Sequence, residues 1–287
     1  MPGSLYLVAT PIGNLEDVTL RALRVLREVD LIACEDTRRT RHLLTHFGIS
    51  KPLFSFHEHN ETRRTDELIA KLEDGTDIAL VSDAGMPLVS DPGFGLVREA
   101  IERGVKVIPV PGASALPAAL AASGLPPDEF HFAGFLPARQ SARLKRLNQL
   151  VEIQSTLVLF EAPHRIKAMI RDAFDVLGDR RATIARELTK VHEEFIRGPL
   201  SELVKQIARD EARGEYVVVI GPPDRPRGKE SSPAIASKTS LAAEVEELIR
   251  GAGLDRKAAL KRVARERGIS RAEAYRQVLR EKTGHQG

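Results

Sequence analysis

The stretch from Asp77 to Gly95, DIALVSDAGMPLVSDPGFG, constrains the fold more than any other part of the chain. Ile78 to Val81 is a short apolar run of the kind that forms a fully buried strand, and it stops abruptly at Ser82, Asp83, Ala84 and Gly85. In open α/β sheets ligands bind just beyond the carboxyl ends of strands, so a buried strand ending in small and acidic residues opens onto a site. Pro87, Asp91, Pro92 and Gly93 follow, and their fixed proline torsions and permissive glycines hold the loop until a helix begins near Pro92. The active site is expected here.

The same pattern recurs along the chain. Leu5 to Ala9 reads as a strand running into Thr10, Pro11, Ile12, Gly13 and Asn14, then a helix with Leu20, Leu23 and Leu26 on one side. Asp30 to Glu35 and Leu53 to Phe56 are further strands, the second followed by a helix over 61–72. After the central loop a helix ends near Gly104, and Val105 to Val110 gives a strand closing in Pro111, Gly112, Ala113, Ser114 and Ala115. Alternating strands and helices of this kind predict an α/β body. Leu125, Pro126, Pro127 and Asp128 mark a break. Beyond it come strands at Phe130 to Gly134 and Thr156 to Phe160, a helix from Arg139 to Leu150, an antiparallel pair over 182–188 and 193–197, and a last strand at Tyr216 to Gly221. The expected domains are 1–115 and 116–222.

Charge separates a third part. Residues 1–222 carry 28 Lys and Arg against 31 Asp and Glu, whereas 223–287 carry 15 against 9. A basic terminal module on a near-neutral body points towards a polyanion, with a solvated helix face as the plain alternative. Residues 223–238 read as a linker by composition, and 239–283 as three helices. The last of these opens with Ser270 and Glu273 in capping-box spacing, carries Arg271 and Arg276, and resembles the second half of a helix-turn-helix. No apolar stretch approaches the roughly 20 residues that span a bilayer, and no signal peptide is legible, so the expected compartment is the cytoplasm. Cys34 is the only cysteine and sits in an apolar run, which suits core packing and no zinc site.

Neither a dinucleotide fingerprint nor a phosphate loop is present. Several side chains at strand ends suit chemistry, each with a structural alternative. Glu35 and Asp36 are an acid pair, although Asp36 or Thr37 equally caps the following helix, where Arg38, Arg39 and Arg41 form a cluster suited to phosphate. Glu161 and His164 suit acid-base work and Arg165 suits phosphate, unless Pro163 merely starts a helix and Glu161 pairs with Arg165. Ser114 begins a helix whose free amide groups can approach a ligand, or it only caps that helix. His57 and His59 lack a third partner at metal-binding spacing, so no metal is expected.

Taken together, Ala9 to Leu15, Glu35 to Arg38, Ser82 to Pro87, Ser90 to Gly93, Val110 to Gly112, Gly134 to Pro137, His164–Arg165 and Ala185 to Lys190 resemble the tetrapyrrole methylase superfamily. Within it, they are similar to the branch that methylates small-subunit ribosomal RNA. The resemblance spans residues 4–221 and extends to the helical tail. It implies two α/β domains with S-adenosylmethionine (SAM) in the cleft between them, a homodimer, and methyl transfer to a cytidine 2'-hydroxyl in the decoding region of 16S rRNA, in naked RNA or the small ribosomal subunit. The cofactor loops then fall at Pro11, at Asp83, Ala84, Gly85 and Met86 with Val89, at Ala113 and Ser114, and at Phe160 and Leu188. Met86 departs from the family's usual threonine. Glu161 and Glu187 are the foremost candidates to orient the hydroxyl, with Asp36 and His164 behind them. Arg38, Arg39, Arg165, Arg186, Lys190, Arg271 and Arg276 would contact RNA. A tetrapyrrole or diphthine methyltransferase, or an RNA-binding protein without catalysis, are the alternatives.

Overall fold

A computed structural model describes residues 1–209, 211–223, 240–252, 254–266, 274, 275, 277, 278 and 281. The chain divides into two units, Met1–Asp224 and Arg225–Gly287. In the first, β1 (Ser4–Val8), β2 (Leu31–Cys34), β3 (Leu53–Ser55), β4 (Ile78–Val81) and β5 (Lys106–Val110) form one sheet in the order β3-β2-β4-β1-β5. Every pairing in it is parallel, so all five strands deliver their carboxyl ends, and the loops that follow, to one edge. All four residues of β4 are buried, as expected for a strand covered on both faces. Helices α1 (Leu20–Glu28), α2 (Thr37–His46), α3 (Glu61–Glu73) and α4 (Phe94–Glu102) cover the sheet. Val25 and Leu26 of α1 pack with Val8, Ile32 and Val81 on one face, while Leu68, Leu72 and Leu96 pack with Leu5, Ile78 and Leu80 on the other.

Two expectations about these helices are corrected. Leu20 is 87% exposed, because Thr19 caps α1 through the Ala22 amide and Leu20, as the first residue of the helix, falls off the face set by Ala22, Val25 and Leu26. The helix after the central loop starts at Phe94 and not near Pro92, since Gly93 carries φ +126°, a torsion that interrupts any helix.

The second sheet is mixed, in the order β6-β7-β10-β8-β9, with β6 (Phe130–Phe135), β7 (Thr156–Glu161), β8 (Arg181–Arg186), β9 (Glu194–Pro199) and β10 (Tyr216–Ile220). Its core joins Leu157, Leu159, Ile184 and Val218 to apolar faces of α6 (Gln140–Leu150), α7 (Ile166–Leu177) and α8 (Leu200–Arg209). On the opposite face lies α5 (Ala115–Ser123), whose Ala119 and Leu120 meet Val158, Ala185, Val217 and Val219. The helix that follows β5 therefore crosses from one sheet to the other and sets the space between them.

In the second unit, α9 (Leu241–Ala252) and α10 (Arg256–Glu266) bury Leu241, Val245, Leu260 and Val263 with Ala274 and Val278. Arg271, Arg276 and almost all of the expected linker lie outside the described residues. No helix among the described residues is long and apolar enough to cross a membrane.

Candidate active site

Two loops form the floor of the site. The Thr10 amide donates to the Gly85 carbonyl at 2.9 Å and the Gly85 amide donates back to Thr10 at 3.0 Å, so the loops after β1 and β4 are pinned in a one-residue bridge. Gly85 holds φ +84°, and a Cβ there would sit 3.3 Å from Ile12 Cγ2, which is why glycine occupies the position. The Ser82 hydroxyl lies 3.2 Å from the carbonyls of both Ala84 and Gly85, and the Thr10 hydroxyl donates to the Ser82 carbonyl, closing the turn. Leu88 and Ser90 then adopt φ of +71° and +69°, unfavourable for residues with a Cβ and characteristic of functional loops. The far end of this loop is tied down by Glu61, whose Oε1 accepts from the amides of Gly93 and Gly95 at 3.1 and 3.2 Å.

These loops and the ends of β7 and β10 enclose a cleft of about 400 Å³. Asp83, Ala84, Gly85, Met86, Val89, Ser114, Phe160 and Leu188, eight of the ten expected cofactor positions, line it. Pro11 does not; it faces a smaller neighbouring pocket with Thr10, Ser82 and Arg39, and Ile12 takes its place in the cleft. Ala113 is likewise replaced at the wall by Ser114 and Ala115. Ser114 stands at the cap position of α5 without a capping bond from its side chain, so capping does not account for the serine. Phe160 is braced edge-on by Phe132 and Phe135, with ring centroids at 5.0 and 5.7 Å. Phe135 reaches the wall across a β-bulge at Ala133, next to Gly134 with φ +62°.

The four expected acids and bases fare differently. Glu161 borders the cleft, yet its side chain is fully buried: Arg165 pairs with it at 3.1 Å and the Ala162 amide donates to it at 2.8 Å. Burial pushes its carboxyl up despite that pairing. Arg165 also donates to the Leu136 carbonyl, so the pair ties the ends of β6 and β7 together. Glu187 lies outside the cleft. Burial pushes its carboxyl up, but hydrogen bonds from Lys190 and the Glu215 amide outweigh this and hold it below the ordinary value. Glu187 and Thr189 both have positive φ, +51° and +65°, and this strained turn presents Leu188, between them, to the cleft. Lys190 bonds Glu187 and Glu215 at 2.9 Å each, and Arg186 pairs with Glu194 at 3.7 Å, so both expected RNA cations are held in the protein.

Asp36 caps α2 through the Arg38 amide, and hydrogen bonds from the Arg38 side chain and amide lower its carboxyl to about 2. It lies with Glu35, His57 and His59 along an open groove beside the cleft. His164 is exposed on the turn before α7 and lines neither. Arg38 and Arg39 remain solvent-facing, and Arg39 reaches the cleft by pairing with Asp83 at 3.3 Å. The other oxygen of Asp83 accepts from the Asp36 amide at 3.0 Å. Among the described residues no group of three or more His, Cys, Asp or Glu is placed to hold a metal ion.

Asp91, which the sequence marks only as part of the central loop, lines the cleft. Burial, and next the charge of Glu35, push its carboxyl up to about 6, with the Ser82 hydroxyl acting in the opposite direction. Glu35 is raised as well, by burial and by Asp83. In the sequence Asp91 stands between Ser90 and Pro92, in the loop expected to carry the site.

A parallel sheet whose carboxyl edge faces a second, mixed sheet across one cleft defines a class, and residues 4–204 match the tetrapyrrole (corrin/porphyrin) methylases. The chain belongs to that family. Within it, the ribosomal RNA small subunit methyltransferase I of Halalkalibacterium halodurans is 46% identical over 275 residues, covering 95% of this chain and 93% of that protein. Two crystal structures share the fold: diphthine synthase, with TM-score 0.60 and 19% identity over 76% of this chain and 90% of that one. The other is uroporphyrin-III C-methyltransferase from Thermus thermophilus complexed with S-adenosylhomocysteine, at TM-score 0.54 and 21% identity over 76% and 97%.

Proposed function

We propose that this protein methylates the 2'-hydroxyl of a cytidine ribose in the decoding region of 16S rRNA, with SAM as methyl donor. The observation that carries the reading is the convergence of loops from both sheets on one cleft, in a chain 46% identical to a protein named as a methyltransferase of small-subunit ribosomal RNA. The site fits SAM. Its volume is in the range of small-molecule pockets, its walls at Ile12, Met86, Phe160, Leu188 and Val217 are apolar, and its carboxylates suit a sulfonium cation. Backbone approaches closely at Gly85, where a side chain would meet Ile12. When bound, SAM supplies an electrophilic methyl group.

The chain's own residues do the rest. Phe160, Leu188 and Val217 exclude water, and the pinned floor fixes the loop from Asp83 to Ser90 before any ligand arrives, so positioning contributes to the rate. Arg39 and Arg38 offer phosphate contacts at the mouth and beside it. The basic 239–283 module adds affinity for RNA through its charge. The reading divides the body at residue 115, where α5 leaves the first sheet, and includes a cytoplasmic homodimer. Support for the dimer comes from Phe94 and Ile101, two turns apart on α4 and both exposed.

Incubation with tritiated SAM and small ribosomal subunits from cells lacking the activity tests this, followed by nuclease mapping of the label. A single labelled cytidine carrying a 2'-O-methyl group is expected. Label on protein or tetrapyrrole acceptors, with none on RNA, would refute the reading.

A further inference from the structure

We propose that Asp91 is the general base that takes the proton from the ribose 2'-hydroxyl, an inference that rests on the rRNA-methyltransferase reading of the cleft. The geometry removes the competitors first. Both oxygens of Glu161 face Arg165, Glu187 outside the cleft is turned to Lys190 and the Glu215 amide, the Glu215 carboxylate on the cleft wall pairs with Lys190, and Asp83 is divided between Arg39 and the Asp36 amide. Asp91 borders the same cavity as Met86, Val89 and Phe160, and among the described residues it has no ion-pair partner.

Its surroundings favour proton uptake. The charged groups facing it are Glu35 from the end of β2 and Asp83 from the end of β4, with Arg39 of α2 pairing Asp83 and His57 acting on Glu35. A half-buried carboxylate beside two others accepts a proton at neutral pH far more readily than one in water. The loop that carries it is strained at Leu88 and Ser90 and fastened beyond Asp91 by Glu61, which holds the group in place at a cost to the fold.

The step balances. The hydroxyl oxygen forms a bond to the methyl carbon, its proton passes to the Asp91 carboxylate, and the electron pair of the broken carbon–sulfur bond stays on sulfur. A sulfonium and a carboxylate become a neutral thioether and a carboxylic acid, and the ribose becomes a methyl ether.

The test compares wild type, Asp91→Asn and Asp91→Glu in single-turnover methylation of small subunits at saturating SAM. Wild type should lose rate as pH falls through about 6, where the base becomes protonated. Asp91→Asn should be slower by about 10²- to 10⁴-fold without that limb, and Asp91→Glu should restore part of the rate together with a pH limb. Binding of SAM and of S-adenosylhomocysteine should change little in either variant. A readout independent of activity follows from the raised carboxyl: the native state binds the extra proton, so ionised Asp91 destabilises the fold at neutral pH and above. Asp91→Asn should melt higher than wild type at about pH 8, the gap shrinking as pH falls from about 6 to about 4. A wild-type rate in Asp91→Asn overturns the assignment, as does selective loss of SAM over S-adenosylhomocysteine, which would make Asp91 a sulfonium-binding group. Should wild type label no RNA, the substrate reading fails instead. The melting comparison needs no substrate, and an Asn variant that melts lower at every pH refutes the poised carboxyl by itself.

Discussion

Removing the Glu61 carboxylate should loosen the central loop from a distance. Gly93, at the cap position of α4, has no side chain to cap the helix, and its own amide and that of Gly95 are served by Glu61 from the start of α3. In Glu61→Ala both amides lose a charged acceptor. Hydrogen bonds to charged groups are worth about 1.5–3 kcal/mol each, but water replaces part of this at a half-exposed site, where losing a helix cap costs about 1 kcal/mol. A total of about 2–3 kcal/mol follows, and with about 2–4 °C lost per kcal/mol in a body of this size, Tm should fall by about 5–10 °C. Glu61→Gln keeps the acceptor and loses only its charge at the helix terminus, so it should recover all but about 0.3–1 kcal/mol. Calorimetric unfolding of the three proteins, with SAM affinity measured alongside, reads both effects; the Ala variant should also bind SAM more weakly because the loop over 82–93 is no longer held. An unchanged Tm in Glu61→Ala, or a Gln variant as unstable as the Ala variant, would show that the two bonds do not fasten the loop.

Three further outcomes are expected. Arg143 and Asp172 are each buried and pair at 2.7 Å, so Arg143→Met should cost about 3–5 kcal/mol by stranding the carboxylate, and adding Asp172→Leu should restore most of it in a thermal melt. Met86→Thr restores the hydroxyl usual in the family, and titration calorimetry should show SAM binding tightened by about fivefold, one net hydrogen bond; weaker binding would argue that the thioether packs on the ligand. Truncation after Pro222 should weaken RNA binding and flatten its salt dependence in a filter assay while SAM affinity stays near wild type, since both sheets and the cleft lie before that point. Loss of SAM binding in the truncated protein would give the tail a structural role.

What could be read in advance divides along physical lines. Strands such as Ile78–Val81 and turns such as Ser82–Gly85 are specified by neighbouring residues, so the strand order in sequence and the loops of the cleft are legible, and the cap of α2 is narrowed to Asp36 or Thr37. The division of labour among the charged groups is not legible, because it depends on partners far apart in sequence. Glu187 finds the Glu215 amide, Asp83 finds the Asp36 amide, and Arg143, on a helix that reads as polar, is buried against Asp172. Asp91 is set apart in the opposite way, by the lack of an ion-pair partner among the described residues, which no spacing in the sequence records. Pro11 and Ile12 differ by one residue in a loop whose side chains alternate direction, beyond the precision of motif matching.

The parallel register of β1 has a consequence for how the chain is made. Leu5 pairs with Ile78 on one side and with Val107 on the other, so β1 lies between two partners synthesised much later than itself. At elongation rates of about 5–20 residues per second, roughly 4–15 s separate β1 from β4 and roughly 5–20 s separate it from β5, so both edges of β1 are open for the first interval and one edge until the end of the second. The Thr10–Gly85 bridge cannot form earlier than β4. The floor of the methyl-transfer site is therefore completed only after Gly85 has been made, and of the strands in that sheet β1 waits longest for its partners.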